Sequence, residues 1–358
     1  MVKNICVIEG DGIGPEVMAE AIKVLNTVAE KYNHKFVYHY CLAGGAAIDK
    51  TGKCLPQETL DKVLSADSTL LGAVGGPKWD NESPENRPEK ALLGIRKAMQ
   101  VYANLRPQKL FKELDSPLKA NIVGSGIDIM IVRELVSGVY FGQHSESVEN
   151  TEKTATDIMK YTENEIKRVA KVAFELSLKR SGNLLLVDKA NVLATSKLWR
   201  KVVGDMAKSY PNVNVSYMYV DNCAMQLIKN PSKIDVILTE NMFGDILSDE
   251  ASAIVGSIGM AGSCSIGDGS RGFYEAIHGS APDIAGKDIA NPIGMISSAS
   301  MMLKNSFGMF DEAKSIERAI ELFIQNGYRT QDIMQPDKKL VKCSEVGDII
   351  CSYIIGRS

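Results

Sequence analysis

Residues 3–25 read KNICVIEGDGIGPEVMAEAIKVL. The apolar run of Ile5, Val7 and Ile8 has the composition of a strand, Gly10-Asp11-Gly12-Ile13-Gly14 supplies a turn, and a helix-like segment follows. Strand, glycine turn and helix together suggest the start of a dinucleotide-binding unit, whose fingerprint is G-x-G-x-x-G. The spacing argues against it: the third glycine arrives one residue early and Pro15 follows it. The acidic residue due about 20 positions later, at the end of a second strand, is also missing. The candidate second strand, KFVYHYCLAGG (35–45), ends in Leu42-Ala43-Gly44-Gly45, with no carboxylate to hold a ribose. The stretch therefore points to an α/β chain that does not open with a Rossmann unit.

The bulk properties set the frame. With 358 residues, about two domains are expected. Hydrophobic content of 45% and charged content of 24% are those of an ordinary globular protein. A net charge of −3 gives no general attraction to nucleic acid or anionic lipid. No apolar run approaches the ~18–20 residues needed to cross a bilayer, and Glu9 and Asp11 interrupt any signal-peptide pattern. Seven scattered cysteines (Cys6, Cys41, Cys54, Cys223, Cys264, Cys343, Cys351) contain no C-x-x-C pair. They suggest neither a zinc site nor a disulfide framework, and Cys6 reads as a small core residue. A reducing cytoplasm is the expected setting.

Strand-like and helix-like segments alternate along most of the chain, the pattern of an α/β architecture. Helices are expected at 15–32, 57–65, 162–180, 195–208, 222–229, near 294–306, 311–326 and 344–354. Residues 75–90 form a polar, proline-bearing loop of the length that often carries function. The segment after Ser137 is polar, rich in Thr and Ser, and reads as a projecting arm, a hairpin or a long surface loop.

Several residues have the character of site chemistry. In ENMFGDILSDEAS (240–252), Asp245 and Asp249 lie four apart in an expected helix, so both carboxylates share one face. Two hard oxygen ligands at that spacing suit Mg²⁺ or Mn²⁺; a solvated acidic face is the plain alternative. Arg96, Arg106 and Arg133 offer guanidinium forks that match carboxylates, and the last two each end a strand-like run, where α/β folds build ligand sites. Any one of them taken alone is more simply a surface ion pair. Tyr140, Lys189 and Asp221 also follow strand-like runs, as candidate proton-transfer groups and a further carboxylate.

EGDGIGPEV, GAVGGPKWD, ALLGIRKAMQVYANLRP, DKANVL, NMFGDILSDEAS and HGSAPDIAGKDIANP occur in this order in one chain. Together they resemble the β-decarboxylating dehydrogenases, the isocitrate/isopropylmalate dehydrogenase family, essentially from end to end. The resemblance implies a two-domain α/β fold, a large sheet flanked by helices without a Rossmann unit. One domain would take 1–100 and 253–358, and the other 101–252 with a dimerisation arm at about 138–160. It implies oxidative decarboxylation of 3-isopropylmalate to 4-methyl-2-oxopentanoate and CO₂ with reduction of NAD, a step of leucine biosynthesis. Arg96, Arg106 and Arg133 would grip the malate carboxylates. Asp221, Asp245 and Asp249 would hold Mg²⁺ or Mn²⁺, with Lys189 and Asp221 reaching in from the second subunit of a homodimer. Lys189 would act as base, and Tyr140 would protonate the enol carbon.

By the same resemblance, the coenzyme would rest on two loops and two nearby residues. Gly76, Pro77, Lys78, Trp79 and Glu89 belong to the first loop; Gly279, Ser280, Ala281, Pro282, Asp283, Ile284, Ala285 and Asn291 belong to the second. Glu275 and His278 lie just outside. The pair Asp283-Ile284 matches NAD-using members, since a carboxylate accepts ribose hydroxyls and repels a 2′-phosphate. Glu89, Leu92 and Leu93, with Val192 of the other chain, would form the isopropyl pocket, although such a pocket discriminates by only about 1–3 kcal/mol. Three places depart from the family pattern: Val136-Ser137 for Thr-Gly, GQHSESVEN for a GEPRG-type arm, and Ala276 for proline. None removes a proposed catalytic side chain. A relative acting on tartrate, malate or homoisocitrate, or a non-catalytic metabolite-binding paralogue, are the competing readings.

Overall fold

The computed structural model describes residues 1–149 and 151–356. Asn150 of the expected arm, and Arg357 and Ser358 at the end of the expected first domain, lie outside the described residues. The chain forms two compact units: residues 1–101, 110–117 and 255–358 in one, and 102–109 with 118–254 in the other. The segment 110–117, assigned by sequence to the second domain, belongs with the first unit.

The first unit is built on five strands in the order Lys35–Tyr40, Val2–Gly10, Ser68–Ala73, Gly272–Ala276 and Gly262–Ile266. Its first three pairings are parallel and the last is antiparallel. Ile5, Cys6, Val7 and Ile8 are all fully buried, so this strand is apolar on both faces, as a sheet covered on both sides requires. Helix Gly14–Lys31 follows with Pro15 in its first turn, where the missing N–H costs nothing. Its stripe of Val17, Met18, Ala21, Val24, Leu25 and Val28 is buried and packs on helices Ile293–Asn305 and Cys343–Ile354.

The second unit orders its strands Ala103–Lys109, Asp128–Glu134, Val236–Thr239, Asn183–Asp188 and Asn214–Tyr219. The first pair is antiparallel and the rest are parallel. Helices Glu163–Lys179 and Ala194–Ala207 pack together; a capping box between Thr162 and Glu165 starts the first of them. Trp199 meets Tyr161 edge-on, with ring centroids 5.5 Å apart. The polar segment after Ser137 is a hairpin, His144–Glu149 paired antiparallel with Glu152–Asp157.

Some local expectations change. Arg106 lies in the middle of its strand instead of at its end, and Asp221 sits in the first turn of helix Val220–Lys229, two residues earlier than the expected helix start. The glycine-rich stretch contributes the antiparallel pair of the first unit, and a short helix, Gly45–Thr51, follows the second strand. Neither had a clear period, because each runs for only a few residues.

Candidate active site

In the second unit the antiparallel register places Arg133 opposite Asn104 and Arg106 opposite Ile131. Residues two apart on a strand share a face, so Asn104, Arg106 and Arg133 all face the same way. Helix Asn241–Ile254 lies against this face, and Gly244 makes that possible: a Cβ there would come 2.6 Å from Arg133 Cγ. Both guanidinium groups are buried and well held. Arg106 donates through Nε to Asn104 Oδ1 at 2.6 Å and through Nη1 to Ser248 Oγ at 2.7 Å. Arg133 donates to Asn241 Oδ1 through Nε at 3.1 Å and through Nη2 at 2.8 Å.

The two helix carboxylates complete the cluster. Asp245 Oδ1 is bound by Arg133 Nη1 and lies 3.3 Å from Arg106 Nη1, and Asp249 Oδ1 is 3.7 Å from Arg106 Nη1. Their side chains are 35% and 57% exposed, so neither is sealed from solvent. The Tyr140 hydroxyl donates to Asp245 Oδ2 at 3.1 Å. Burial pushes the phenol above its ordinary range, and the Asp245 carboxylate adds to the shift. Tyr140 is therefore a held proton at neutral pH.

A buried set of groups fixes this arrangement. Glu240 accepts from the backbone N–H of Phe243 at 3.0 Å and Met242 at 3.2 Å, capping the helix that bears both aspartates. Tyr161 donates to Glu240 Oε2 at 2.9 Å and accepts from Asn241 N at 3.0 Å. Its hydroxyl also occupies the space beside Gly138, where a Cβ would come within 2.1 Å. Glu134, fully buried, accepts from Val136 N and Ser137 N at 3.0 Å each, and burial raises its carboxyl to about 7. The unusual Val136-Ser137 pair is accommodated through its backbone, with Ser137 O accepting from Asn241 Nδ2 at 3.0 Å. Neither Tyr161 nor Glu240 stood out in the sequence, because a buried tyrosine and a carboxylate give no periodic signal.

Lys189 and Asp221 form a second pair, Nζ to Oδ1 at 2.5 Å. The Lys189 hydrogen bond, foremost, lowers the Asp221 carboxyl. Among the described residues no group of three Asp, Glu, His or Cys side chains gathers as a metal site, so one chain does not bring Asp221 to Asp245 and Asp249. Val192, three residues past Lys189, leaves 66% of its surface exposed.

In the first unit, the turn of residues 10–14 joins several segments. Asp11 is only 4% exposed and accepts from Gly45 N at 2.8 Å, Ala46 N at 2.7 Å and Gly75 N at 2.8 Å. Burial raises its carboxyl and those three N–H groups oppose the rise. Ile13 N donates to Ser280 O at 2.8 Å, and a Cβ on Gly12 (φ +58°) would come 2.0 Å from that oxygen. One tight turn thus binds the start of the 76–89 loop and the start of the 279–291 loop. The first loop is further fixed where Lys78 Nζ and Trp79 Nε1 donate to Asp49 at 2.5 and 3.1 Å.

Arg96 belongs to this unit, on helix Pro88–Met99. Its Nη2 meets Glu275 Oε1 at 2.5 Å, while its buried Nε has no partner. Buried His278 uses Nδ1 against Gly279 O at 2.9 Å, and its Nε2 also has none. Burial depresses the imidazole, keeping it neutral. With Nδ1 donating to a carbonyl and the ring neutral, His278 Nε2 is an unpaired acceptor while Arg96 Nε is an unpaired donor. Both are costly when buried, and a ligand offering a donor to the one and an acceptor to the other answers them. Leu92 and Leu93 are half-buried, and Glu89, Pro282 and Asp283 are exposed, so none is consumed by the core.

Buried arginine forks beside two part-exposed carboxylates can hold a small organic acid and a hard cation. The chain belongs to the isocitrate/isopropylmalate dehydrogenase family, whose model matches residues 4–350. It is 55% identical over 357 residues to the 3-isopropylmalate dehydrogenase of Helicobacter hepaticus, covering 99% of this chain and 100% of that protein. It is 52% identical over 354 residues to the 3-isopropylmalate dehydrogenase of Thermotoga maritima, covering 98% and 99%. The isocitrate dehydrogenase of Methylococcus capsulatus superposes with a TM-score of 0.89 at 32% identity, over 99% of this chain and 100% of that one. A β-decarboxylating dehydrogenase of Thermococcus kodakarensis gives 0.79 at 34% identity, over 99% and 96%. Among the described residues no helix is long and apolar enough to cross a membrane.

Proposed function

We propose that this chain catalyses the NAD-linked oxidative decarboxylation of (2R,3S)-3-isopropylmalate to 4-methyl-2-oxopentanoate and CO₂ in leucine biosynthesis, in the cytoplasm. Full-length relatives of that name, above 50% identical, support the reaction. The observation that carries the chemistry is the Arg106–Arg133–Tyr140–Asp245 cluster.

Asp245 and Asp249 fit a hard divalent cation, as paired carboxylates one helical turn apart on part-exposed side chains. We assign the third carboxylate to Asp221 of the partner subunit in a homodimer. Met225, Ile228 and Ile246, on the two helices Val220–Lys229 and Asn241–Ile254, are exposed apolar residues that such an interface would cover. The unpaired Nε2 of His278 and the anchored 76–89 and 279–291 loops suit a dinucleotide, with Asp283 taking the ribose hydroxyls of NAD.

Mg²⁺ or Mn²⁺ held by Asp245, Asp249 and the partner's Asp221 would supply Lewis acidity toward the C2 hydroxyl, and NAD held by the two loops would supply the hydride acceptor. Arg106 and Arg133 hold the substrate carboxylates and, being buried and fixed, orient C2 without reorganising. Arg96 contributes a further fork. Lys189, paired with Asp221, takes the C2 hydroxyl proton. Loss of CO₂ from the 2-oxo acid leaves electron density at C3, and Tyr140 delivers its proton there. Leu92, Leu93 and the partner's Val192 receive the isopropyl group.

The test is NADH production from 3-isopropylmalate, malate, tartrate, homoisocitrate and isocitrate, with NAD and NADP compared in the presence of Mg²⁺ or Mn²⁺. Turnover on 3-isopropylmalate with NAD should dominate. No NADH from it, with metal present, rejects the assignment.

A further inference from the structure

Cys6 lies in the middle of strand Val2–Gly10 and is wholly buried. Cys41 follows the edge strand Lys35–Tyr40 and is half-buried. The two strands run parallel with Cys6 opposite His39, and Cys41 N donates to Val7 O at 3.0 Å, so Cys41 lies two residues beyond the position opposite Cys6, diagonally across from it. The two sulfurs are 2.7 Å apart although the residues are 35 positions apart in sequence, and both cysteines are free. A disulfide bond is about 2.05 Å long, so closing one here needs a displacement of less than about 1 Å.

We propose that Cys6 and Cys41 form a reversible thiol–disulfide pair, a modification site for peroxide-class oxidants in which Cys41 is attacked first and Cys6 resolves it. Access sets the order, since Cys41 reaches the surface of the edge strand and Cys6 does not. Electrostatics agrees with it. The hydrogen bond from Cys6 holds the Cys41 thiol below its ordinary range, against burial and with help from Lys62, and the same contact with burial holds Cys6 far above.

The steps balance. The Cys41 thiolate attacks one peroxide oxygen, the O–O bond breaks, and hydroxide leaves and takes up a proton as water. Cys41 is then a sulfenic acid, oxidised by two electrons. The Cys6 sulfur attacks the Cys41 sulfur, the S–O bond breaks, and a second water departs carrying the Cys6 proton. One peroxide and two thiols become one disulfide and two waters. The pair thereby stops Cys41 short of sulfinic acid, whose formation is irreversible without a dedicated reductase.

The test treats the reduced protein with hydrogen peroxide, blocks free thiols by alkylation, and maps peptides without reductant. The expected result is a cross-linked peptide joining residues 6 and 41 as the main oxidised species, released by dithiothreitol. In Cys6→Ala, Cys41 should advance to sulfinic acid that dithiothreitol does not reverse. Cys41→Ala, a change at the surface that spares the core, should yield no cross-link and leave Cys6 reduced. Wild-type protein carrying Cys41 sulfinic acid without the cross-link overturns the proposal. So does oxidation of Cys6 in Cys41→Ala at the wild-type rate.

Discussion

The Tyr140 hydroxyl donates to Asp245 Oδ2 at 3.1 Å while Arg133 binds Oδ1 of the same carboxylate. The proposed proton donor, carboxylate clamp and metal ligand are thus joined through one side chain. Tyr140→Phe keeps the ring over Arg133 and removes only the proton. Steady-state kinetics should show kcat down by about 10²-fold with KM for the hydroxy acid changed little. A kcat near wild type would exclude Tyr140 as the donor.

Lys189 and Tyr140 test the shared site. Each of Lys189→Ala and Tyr140→Phe should be nearly inactive alone. If Lys189 serves the partner's site, subunits exchanged between the two variants rebuild one intact site per heterodimer. An equal mixture, denatured and refolded together, should recover about a quarter of wild-type activity, since about half the dimers are mixed and each has one working site. No recovery, with dimers present by light scattering, places Lys189 and Tyr140 in the same subunit's site.

Asp245 and Asp249 should separate stability from metal binding. Asp245→Asn leaves buried Arg106 and Arg133 short of their counter-charge, and urea unfolding should show a loss of about 1–3 kcal/mol. Asp249 is more exposed, and Asp249→Asn should cost under about 1 kcal/mol. Mn²⁺ should raise the melting temperature of the wild type, and both substitutions should abolish that rise. Retention of that rise in both variants would remove them from the metal site.

Glu134 gives a pH dependence. Its carboxyl titrates at about 7 in the fold against 4.5 ordinarily, so the folded state holds the proton more tightly. Its contribution to stability is therefore largest below pH 4.5 and is lost as pH rises through 7. Across that window the wild type should lose up to about 3 kcal/mol relative to Glu134→Gln, whose side chain does not titrate. Parallel stability curves for the two proteins would refute this.

Asp283 is exposed, so it can be changed without disturbing the core. Asp283→Lys combined with Ile284→Tyr should lower kcat/KM for NAD and raise it for NADP, each by about tenfold or more, because a cation replaces the carboxylate facing a 2′-phosphate. An unchanged preference would locate the ribose elsewhere.

Much of this was legible without coordinates. Buried strands such as NLLLVD (183–188) announce themselves by continuous apolar runs, and the helix expected over 162–180 forms at Glu163–Lys179. The off-register glycines of GDGIG, ordered with the other motifs, separate this fold from a Rossmann unit. Only the tertiary structure decided convergence. Arg106 and Arg133 share a face because an antiparallel register aligns Asn104 with Arg133, which strand composition does not encode. Asp11 unites segments near residues 45, 75 and 280 only because backbone donors distant in sequence meet around one buried carboxylate and the turn that carries it. Cys6 and Cys41 touch for the same reason. Local sequence fixes which elements form; which side chains share a point in space depends on register and packing between elements, where no local signal exists.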